Sequence, residues 1–278
     1  MLSMGKSATV RETRESIGRD AGALLEVVAD AVLLASTILV EGGCETQLAE
    51  DTASAMGSSY RQVDECTVFV MLTGIMVSVV AKGETVTRIA RLDGVSHNIW
   101  ATDRVIALEQ QCEQGKLEAG ELLTKLREVR EGPRFSPAAL GAAAAVGSVG
   151  FAIFYGTTSL DALACVAIIA FVTQISGHYA SRLLPNSSLT ILVQALLATA
   201  ACCLCQRLWA LGIDKLLIPV LMLLVPGMTL ATGILDTLSG NFLSATARFG
   251  KALLVGIAIA IGSAVVLHYT GVLSWSLS

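Results

Sequence analysis

Twenty consecutive residues, 216–235, carry no charge, and this run limits what the chain can fold into. A helix of about 20 apolar residues is long enough to cross the roughly 30 Å hydrocarbon core of a bilayer. Charged residues stand at both ends of the run, with Lys215 before it and Asp236 after it. Pro226-Gly227 lie in the middle, where a missing N–H opens the helix and frees a carbonyl. Because lipid cannot satisfy that carbonyl, the run predicts a broken membrane span packed against protein or a wet cavity.

The composition extends this prediction to the whole chain. Of the 278 residues, 54% are hydrophobic and only 15% are charged, against about a quarter in soluble domains. The net charge of −4 gives no basic surface for nucleic acid. The seven cysteines lack the spacing of a secreted disulfide scaffold, which favours a reducing compartment for the soluble part. No nucleophile elbow, phosphate-binding loop, zinc-protease helix or dinucleotide fingerprint occurs, so we expect neither an enzyme nor a cofactor.

The N-terminal half has the pattern of a small α+β domain, which we place at residues 1–132. Apolar residues recur at helical spacing from Ile17 to Leu39, and a more polar helix follows from Glu45. Three β-branched runs between 66 and 90, joined by two-residue links, predict a three-stranded antiparallel meander. A helical pair completes the domain, and residues 133–137 form a linker that contains two prolines.

The C-terminal half, 138–278, predicts five transmembrane helices. We place the spans near 138–156, 160–180, 187–207, 216–235 and 252–273. The expected fold class is therefore an α-helical membrane protein in which five transmembrane helices are preceded by a small α+β cytoplasmic domain. The domain is assigned to the cytoplasm because most Lys and Arg residues near span ends then lie inside. Stretches rich in Gly and Ala predict closely packed helices, within the chain or with a partner.

Four short motifs together resemble a known family, the threonine/serine exporter family of bacterial membrane proteins. They are VEGGCET at 40–46, EDTASAMG at 50–57, TRIARL at 87–92 with Asn98 beyond it, and LLVPGMT at 223–229 followed by Asp236 and Gly240. The resemblance covers most of the chain, although each motif is short.

The resemblance implies a multi-pass protein of the bacterial plasma (inner) membrane that exports a small polar metabolite. Threonine or serine is the implied substrate of single-chain members, and a dicarboxylate such as succinate is that of a split, two-component form. With five predicted spans the chain is similar to the larger subunit of that split form. The resemblance thus implies a second small membrane subunit as partner, alternating access and a hetero- or homo-oligomer. The alternative is a non-transporting membrane sensor or assembly protein that acts through its cytoplasmic domain.

The broken span supplies most of the predicted substrate-binding or translocation residues. A half-helix end at the break would direct backbone dipoles at a solute near the midplane. Polar groups follow the break within two helical turns, and ionisable groups lie at the next membrane boundary. Arg248 could pair with Asp236 or with a substrate carboxylate. The predicted set is Pro226, Gly227, Thr229, Thr232, Asp236, Asn241 and Arg248. The competing interpretation is a packing kink with ordinary interfacial charges.

Two further groups have weaker signals. His178 and His268, near the ends of the second and fifth spans, could relay protons or could be interface anchors. Acidic and basic residues flanking the predicted helices and strands could form a regulatory pocket in the soluble domain, or a solvated, salt-bridged surface. That predicted pocket comprises Glu41, Glu45, Arg88, Arg91 and Asn98. The thiols of Cys202, Cys203 and Cys205 have no His nearby in sequence, so helix packing is favoured over a metal site.

Overall fold

A computed structural model describes residues 4–92, 94, 98–133, 135–184, 186–209 and 211–272, with the backbone alone for 4–21. The elements are α1 Met4–Glu41, α2 Thr46–Ser58, β1 Glu65–Met71, β2 Gly74–Ala81, β3 Glu84–Arg91, α3 Ile99–Glu113, α4 Ala119–Arg130, α5 Pro137–Phe154, α6 Leu160–Leu183, α7 Ser187–Trp209, α8 Ile213–Leu221, α9 Gly227–Leu238 and α10 Phe242–Tyr269. They form two compact units. The first unit comprises Met1–Gly132 with Met228–Arg248, and the second comprises Pro133–Gly227 with Phe249–Ser278.

The first unit contains the predicted antiparallel sheet, with strand order β1-β2-β3. The turn between β2 and β3 consists of Lys82 and Gly83, with φ angles of 50° and 83°. Positive φ at both central residues is the conformation that matches the natural twist of a two-residue hairpin. The Lys82 N–H also donates to Asp64 Oδ2 at 2.6 Å, which holds the turn beside the start of β1.

Helix α1 covers one face of this sheet. Val28, Val32, Ala35 and Leu39 recur at the spacing of one helical stripe, and all four are fully buried. They belong to the same core as the inward-facing valines of β1 and β2. Burying each large side chain stabilises the fold by roughly 1.5–3 kcal/mol. The opposite face of the sheet is exposed and carries a cross-strand row formed by Phe69, Met76 and Ile89.

Helices α3 and α4 form the predicted helical pair and also pack on α1. Asn98 begins α3, since its side-chain oxygen accepts a hydrogen bond from the Ala101 N–H at 3.2 Å. Gly132 ends the domain, and a Cβ there would lie 2.2 Å from the ring of Trp100. Only glycine therefore lets the chain pass Trp100 before the linker begins.

The second unit is a helical bundle held by close approach at small residues. Gly141 of α5 receives the ring of Phe171, and Gly262 of α10 faces the Leu192 carbonyl of α7. A Cβ at either glycine would lie 2.8 Å from these atoms. Small residues at such contacts let helix backbones approach, which is how helices associate where lipid removes the hydrophobic driving force.

The direction of α10 follows from three contacts with α7. Gly262 lies against Ala195, Thr199 Oγ1 donates to Ser263 Oγ at 3.1 Å, and Arg207 Nη2 donates to the Thr270 carbonyl at 3.0 Å. Residue numbers increase together along both helices, so α7 and α10 are parallel. One end of the bundle is therefore formed by the start of α7, and the other by the end of α7 and residue 270.

The uncharged run 216–235 is broken more extensively than the sequence suggests. Helix α8 ends at Leu221, α9 begins at Gly227, and the turn between them contains two hydrogen bonds of the i→i+3 type. Pro226 cannot donate to the carbonyl four residues earlier, and a second proline, Pro219, lies inside α8. The break therefore separates helices of nine and twelve residues, each too short to span a bilayer alone.

Within the part of the chain that the structure describes, five helices are long and apolar enough to cross a membrane. They are Gly22–Glu41, Pro137–Phe154, Leu160–Leu183, Ser187–Trp209 and Phe242–Tyr269. The last four correspond to four predicted spans, although residue 273 lies outside the described residues. The set omits the predicted fourth span and includes Gly22–Glu41, which we expected to be a core helix. That apolar stretch is 61% buried inside the protein, against 22–39% for the others, because it covers the sheet.

Candidate functional site

A fully buried ion pair joins α9 and α10 within the first unit. Arg248 Nε donates to Asp236 Oδ2 at 2.7 Å, and the two side chains are 2% and 0% exposed. The sequence left three alternatives for Arg248, namely a pair with Asp236, contact with a substrate carboxylate or an interfacial anchor, and the structure shows the pairing with Asp236. The guanidinium is therefore already bound to a carboxylate of its own chain.

Three more hydrogen bonds complete what we call the Asp236 network, formed by Cys44, Thr46, Thr232, Asp236 and Arg248. The Thr46 N–H donates to Asp236 Oδ1 at 2.8 Å, and Arg248 Nη2 donates to the Cys44 carbonyl at 2.8 Å. Arg248 Nη1 donates to Thr232 Oγ1 at 3.2 Å. Both carboxylate oxygens and all three guanidinium nitrogens thus have a partner. Such satisfaction is what makes a buried ion pair tolerable.

The turn between α1 and α2 provides the backbone groups of this network. Gly42-Gly43 end α1, and Gly43 has a φ of 88°, which favours glycine. Thr46 is the first residue of α2, and the preceding Glu45 makes no side-chain cap. Asp236 therefore accepts one of the N–H groups left unpaired at a helix start, where a negative charge is also favoured by the helix dipole.

The turn between α9 and α10 positions the charged pair. Gly240 has a φ of 83°, and the Asn241 N–H donates to the Asp236 carbonyl at 2.8 Å, which closes the end of α9. Two polar contacts lie beside the network. Ser239 Oγ donates to Glu45 Oε1, and Asn241 Nδ2 donates to Gln47 Oε1 at 3.4 Å. The α9–α10 turn is thus bound to the start of α2.

The predicted translocation residues are divided by the fold. Thr232, Asp236 and Arg248 belong to the network, and Asn241 lies at its edge. Thr229 is buried one turn before Thr232 on the same helix. Pro226 and Gly227 belong to the second unit, where Gly227 has open space around its Cα.

The two predicted histidines occupy opposite ends of the second unit. His178 Nε2 lies 3.0 Å from Arg182 Nη2 near the end of α6. His268 lies next to Tyr269 at the end of α10, level with the end of α7 because these two helices are parallel. The separation leaves them too far apart for direct proton transfer between their rings.

The predicted regulatory pocket is separated into different contacts. Arg88 Nε donates to Asp30 Oδ1 at 2.8 Å, in a pair that is 35% and 47% exposed. Asn98 caps α3, and Glu45 contacts Ser239. Glu41 lies at the end of α1, and Arg91 is exposed at the end of β3. Glu45 contacts Ser239, a residue adjacent to the Asp236 network.

Two buried thiols in the first unit have altered acidity. Burial raises the pKa of Cys44, beside the network, to about 11, and burial likewise raises the pKa of Cys66 in β1 to about 11. Both are protonated at neutral pH and hence poor nucleophiles. They serve as structural thiols.

Sequence reasoning missed the neutral polar side chains of the second unit. Ser148 Oγ, on α5, donates to the Pro219 carbonyl at 3.2 Å, and Gln194 Nε2, on α7, donates to the Thr173 carbonyl at 3.1 Å. The Leu223 N–H would reach the Pro219 carbonyl in a continuous helix, but it donates to Val220 instead. Ser148 therefore satisfies a carbonyl that the break frees. The available signal for Ser148 in the sequence was a polar residue within a Gly/Ala-rich helix.

Long apolar helices, small residues at helix contacts and a broken helix whose freed carbonyl is satisfied internally are the features of a multi-pass membrane protein. The comparison with protein families gives the particular group. The family model for threonine/serine exporters matches residues 30–270, and the chain belongs to this family.

One curated relative is the "Probable threonine/serine exporter" of Mycobacterium tuberculosis, strain ATCC 25618 / H37Rv. The chain is 25% identical to it over 245 residues, which cover 84% of this chain and 45% of the relative. The chain thus spans less than half the length of that relative. No solved structure matches the chain.

Proposed function

We propose that the chain is a subunit of a membrane exporter of small polar metabolites, with threonine, serine or a dicarboxylate such as succinate as candidate substrates. The family supports the export reaction. The observation that carries the proposal is the interrupted helix at 222–226 in an otherwise apolar bundle. Transporters use discontinuous helices at membrane depth to expose backbone groups to a solute, and continuous helices cannot do so.

The proposed arrangement in the cell places the N-terminal domain in the cytoplasm of a bacterium and the bundle in its inner membrane. Lys125, Arg127 and Arg130 on α4 and Lys251 on α10 support this orientation, because positive residues accumulate on the cytoplasmic side of span ends. Transport then proceeds by alternating access.

A second membrane subunit of the same family completes the exporter in this proposal. The chain corresponds to 45% of the curated relative, and a second subunit would supply the remaining helices. Exposed apolar residues along α10, including Leu253, Ile257 and Ile261, fit either lipid or such a subunit. The hetero-oligomer is therefore the form that we expect to transport.

An export assay with a variant of the break tests the proposal. Cells loaded with threonine, serine or succinate are followed for efflux with the chain deleted, expressed alone, and expressed with a neighbouring family subunit. Pro226→Ala restores a backbone donor for the carbonyl of residue 222, so we expect α8 and α9 to join and export to stop. Gly150→Ala on α5 is the matched control, since the added methyl meets open space and the break is untouched.

Unchanged efflux of all three solutes on deletion and on co-expression would contradict the transport proposal. Normal export by the Pro226→Ala protein would indicate that the break serves only helix packing. Membrane insertion of both variants is checked by the amount of protein in the membrane fraction.

A further inference from the structure

A cavity of about 330 Å³ lies inside the second unit, where α8 stops. Leu216 and Val220 of α8 are fully buried between α6 and α7 and fill one half of the bundle. Beyond Leu221 the chain turns, and Leu223 and Leu224 of this turn line the cavity. The break thus lies on the cavity wall.

The cavity reaches from Pro137, the first residue of α5, into the bundle. Gln194 is seven residues from the start of α7, which is about 10 Å along the helix. Gln174, which also lines the cavity, is nine residues from the end of α6, about 13 Å along that helix. A solute that contacts both glutamines would lie within the bundle, and the cavity opens toward the helix end at Pro137.

Two carboxamides and an imidazole define the chemistry of the cavity. Gln174, His178 and Gln194 line it together with apolar residues such as Leu140 and Ile191. None of the described lining residues is Asp, Glu, Lys or Arg. Ionisable and amide groups in membrane spans are costly, so a group of three facing one cavity is a candidate for solute contact.

Gln194 is held in a fixed position. It is 8% exposed, its Nε2 donates to the Thr173 carbonyl at 3.1 Å, and it crosses α6 at Gly177. A Cβ on Gly177 would lie 2.0 Å from Nε2, so only glycine leaves room for this carboxamide. Gly177 and the hydrogen bond to the Thr173 carbonyl thus hold the Gln194 carboxamide at a buried position, where an apolar side chain is usual.

We propose that this cavity is the solute site of the exporter, and that it takes a small zwitterionic amino acid in preference to a dicarboxylate. The inference rests on the proposed function. Carboxamides can accept from an ammonium group and donate to a carboxylate, and the zwitterion adds no net charge to a low-dielectric site. A dicarboxylate brings two negative charges, and none of the described lining residues is Lys or Arg. Arg182, which contacts the lining residue His178, carries a single positive charge.

Binding of radiolabelled threonine to the purified full chain in nanodiscs tests the inference, with unlabelled serine and succinate as competitors. Gln174→Leu and Gln194→Leu should each weaken binding about tenfold, because each removes a hydrogen bond to a charged group. Gln206→Leu is the matched control, since this glutamine lies on α7 near the opposite end of the bundle. Serine should displace threonine, whereas succinate at the same concentration should not.

A second variant keeps the test valid if Gln194→Leu fails to fold. Ile191→Phe keeps the lining apolar and reduces the volume of the cavity, and it should also weaken threonine binding. Leu197→Phe, an exposed position on the same helix, should not.

Unchanged threonine binding in Gln174→Leu and Ile191→Phe would overturn the location, and so would an absence of threonine binding to the wild-type chain. Stronger displacement by succinate than by serine would overturn the solute class. If the wild type and the cavity variants all export normally, the inference is rejected and the proposed function stands. If the wild type does not export, the proposed function is rejected.

Discussion

The two units bury polar side chains in opposite ways. In the first unit, Asp236 and Arg248 are charged, and their polar atoms are paired with one another or with neighbouring groups of the chain. In the second unit, Gln174 and Gln194 are amides and His178 is an imidazole, and all three line open volume. An ion pair whose oxygen and nitrogen atoms all bond within the chain holds a fold, whereas polar groups that face a cavity can meet a solute. Charge alone is therefore a poor guide to the solute site.

The largest effect should come from breaking the ion pair on one side. Asp236→Ala leaves a buried guanidinium unpaired, so we expect it to lower the free energy of unfolding by about 3–5 kcal/mol. Replacing both partners, as in Asp236→Leu with Arg248→Met, should cost much less, because no buried charge remains unpaired. Thermal unfolding of the three variants measures the difference.

The Asp30–Arg88 pair is the matched control for this prediction. Its N···O distance of 2.8 Å is nearly the same, but it is 35–47% exposed. Asp30→Ala should therefore cost no more than about 1 kcal/mol. Equal losses for Asp30→Ala and Asp236→Ala would contradict the assignment of stability to the buried network.

The next effect should come from the close helix contacts that hold the second unit. Gly262→Ala places a methyl group 2.8 Å from the Leu192 carbonyl, so α7 and α10 must separate, at a cost of about 1–3 kcal/mol. Gly256→Ala on the same helix meets open space and should not destabilise the protein. Comparison of their melting temperatures in nanodiscs checks the prediction, and equal melting temperatures would contradict it.

A smaller effect is expected for the side chain that satisfies the broken helix. Ser148→Ala removes the hydrogen bond to the Pro219 carbonyl and should destabilise the second unit by about 1 kcal/mol. Ser181→Ala, an exposed position near the end of α6, is the control. If Ser148→Ala had no effect alone but a clear one with Gln194→Leu, the two groups would be coupled through the bundle.

The smallest effect concerns pH and the first unit. Burial raises the pKa of Glu50, even though its carboxylate accepts a hydrogen bond from the Val70 N–H at 2.7 Å. The folded state then binds the proton more tightly than the unfolded state, so wild-type stability falls as pH rises from the ordinary pKa to the raised one. Glu50→Gln should be more stable than the wild type above that range. The difference should disappear below it, and a difference that is independent of pH would contradict this cause.

Much of the fold could be predicted from sequence periodicity. The α+β domain and the break at Pro226 follow from local patterns, because alternation and proline act within a few residues. The division of the predicted fourth span into two short helices was harder to predict. A window of uncharged residues does not reveal that Pro219 and Pro226 together divide it. Gly22–Glu41 has the composition of a span, and its role in the sheet core depends on β strands that follow it in the chain.

The site was predicted only in part, because its partners are distant in sequence. The pairing of Asp236 with Arg248 was one of three alternatives, and twelve residues separate the two side chains in sequence. The backbone groups of Cys44 and Thr46 come from about 190–200 residues away, and no side-chain pattern marks a backbone donor. Gln194 carries no charge, and its importance depends on Gly177 of another helix.

The most direct measurement compares threonine binding in two variants of the full chain in nanodiscs. Gln174→Leu changes the cavity, and the double variant Asp236→Leu with Arg248→Met removes the charges of the network. Our account predicts that Gln174→Leu weakens binding about tenfold while the double variant binds as the wild type does. Loss of binding in the folded double variant, with normal binding by Gln174→Leu, would contradict the claim that neutral groups rather than the ion pair meet the solute.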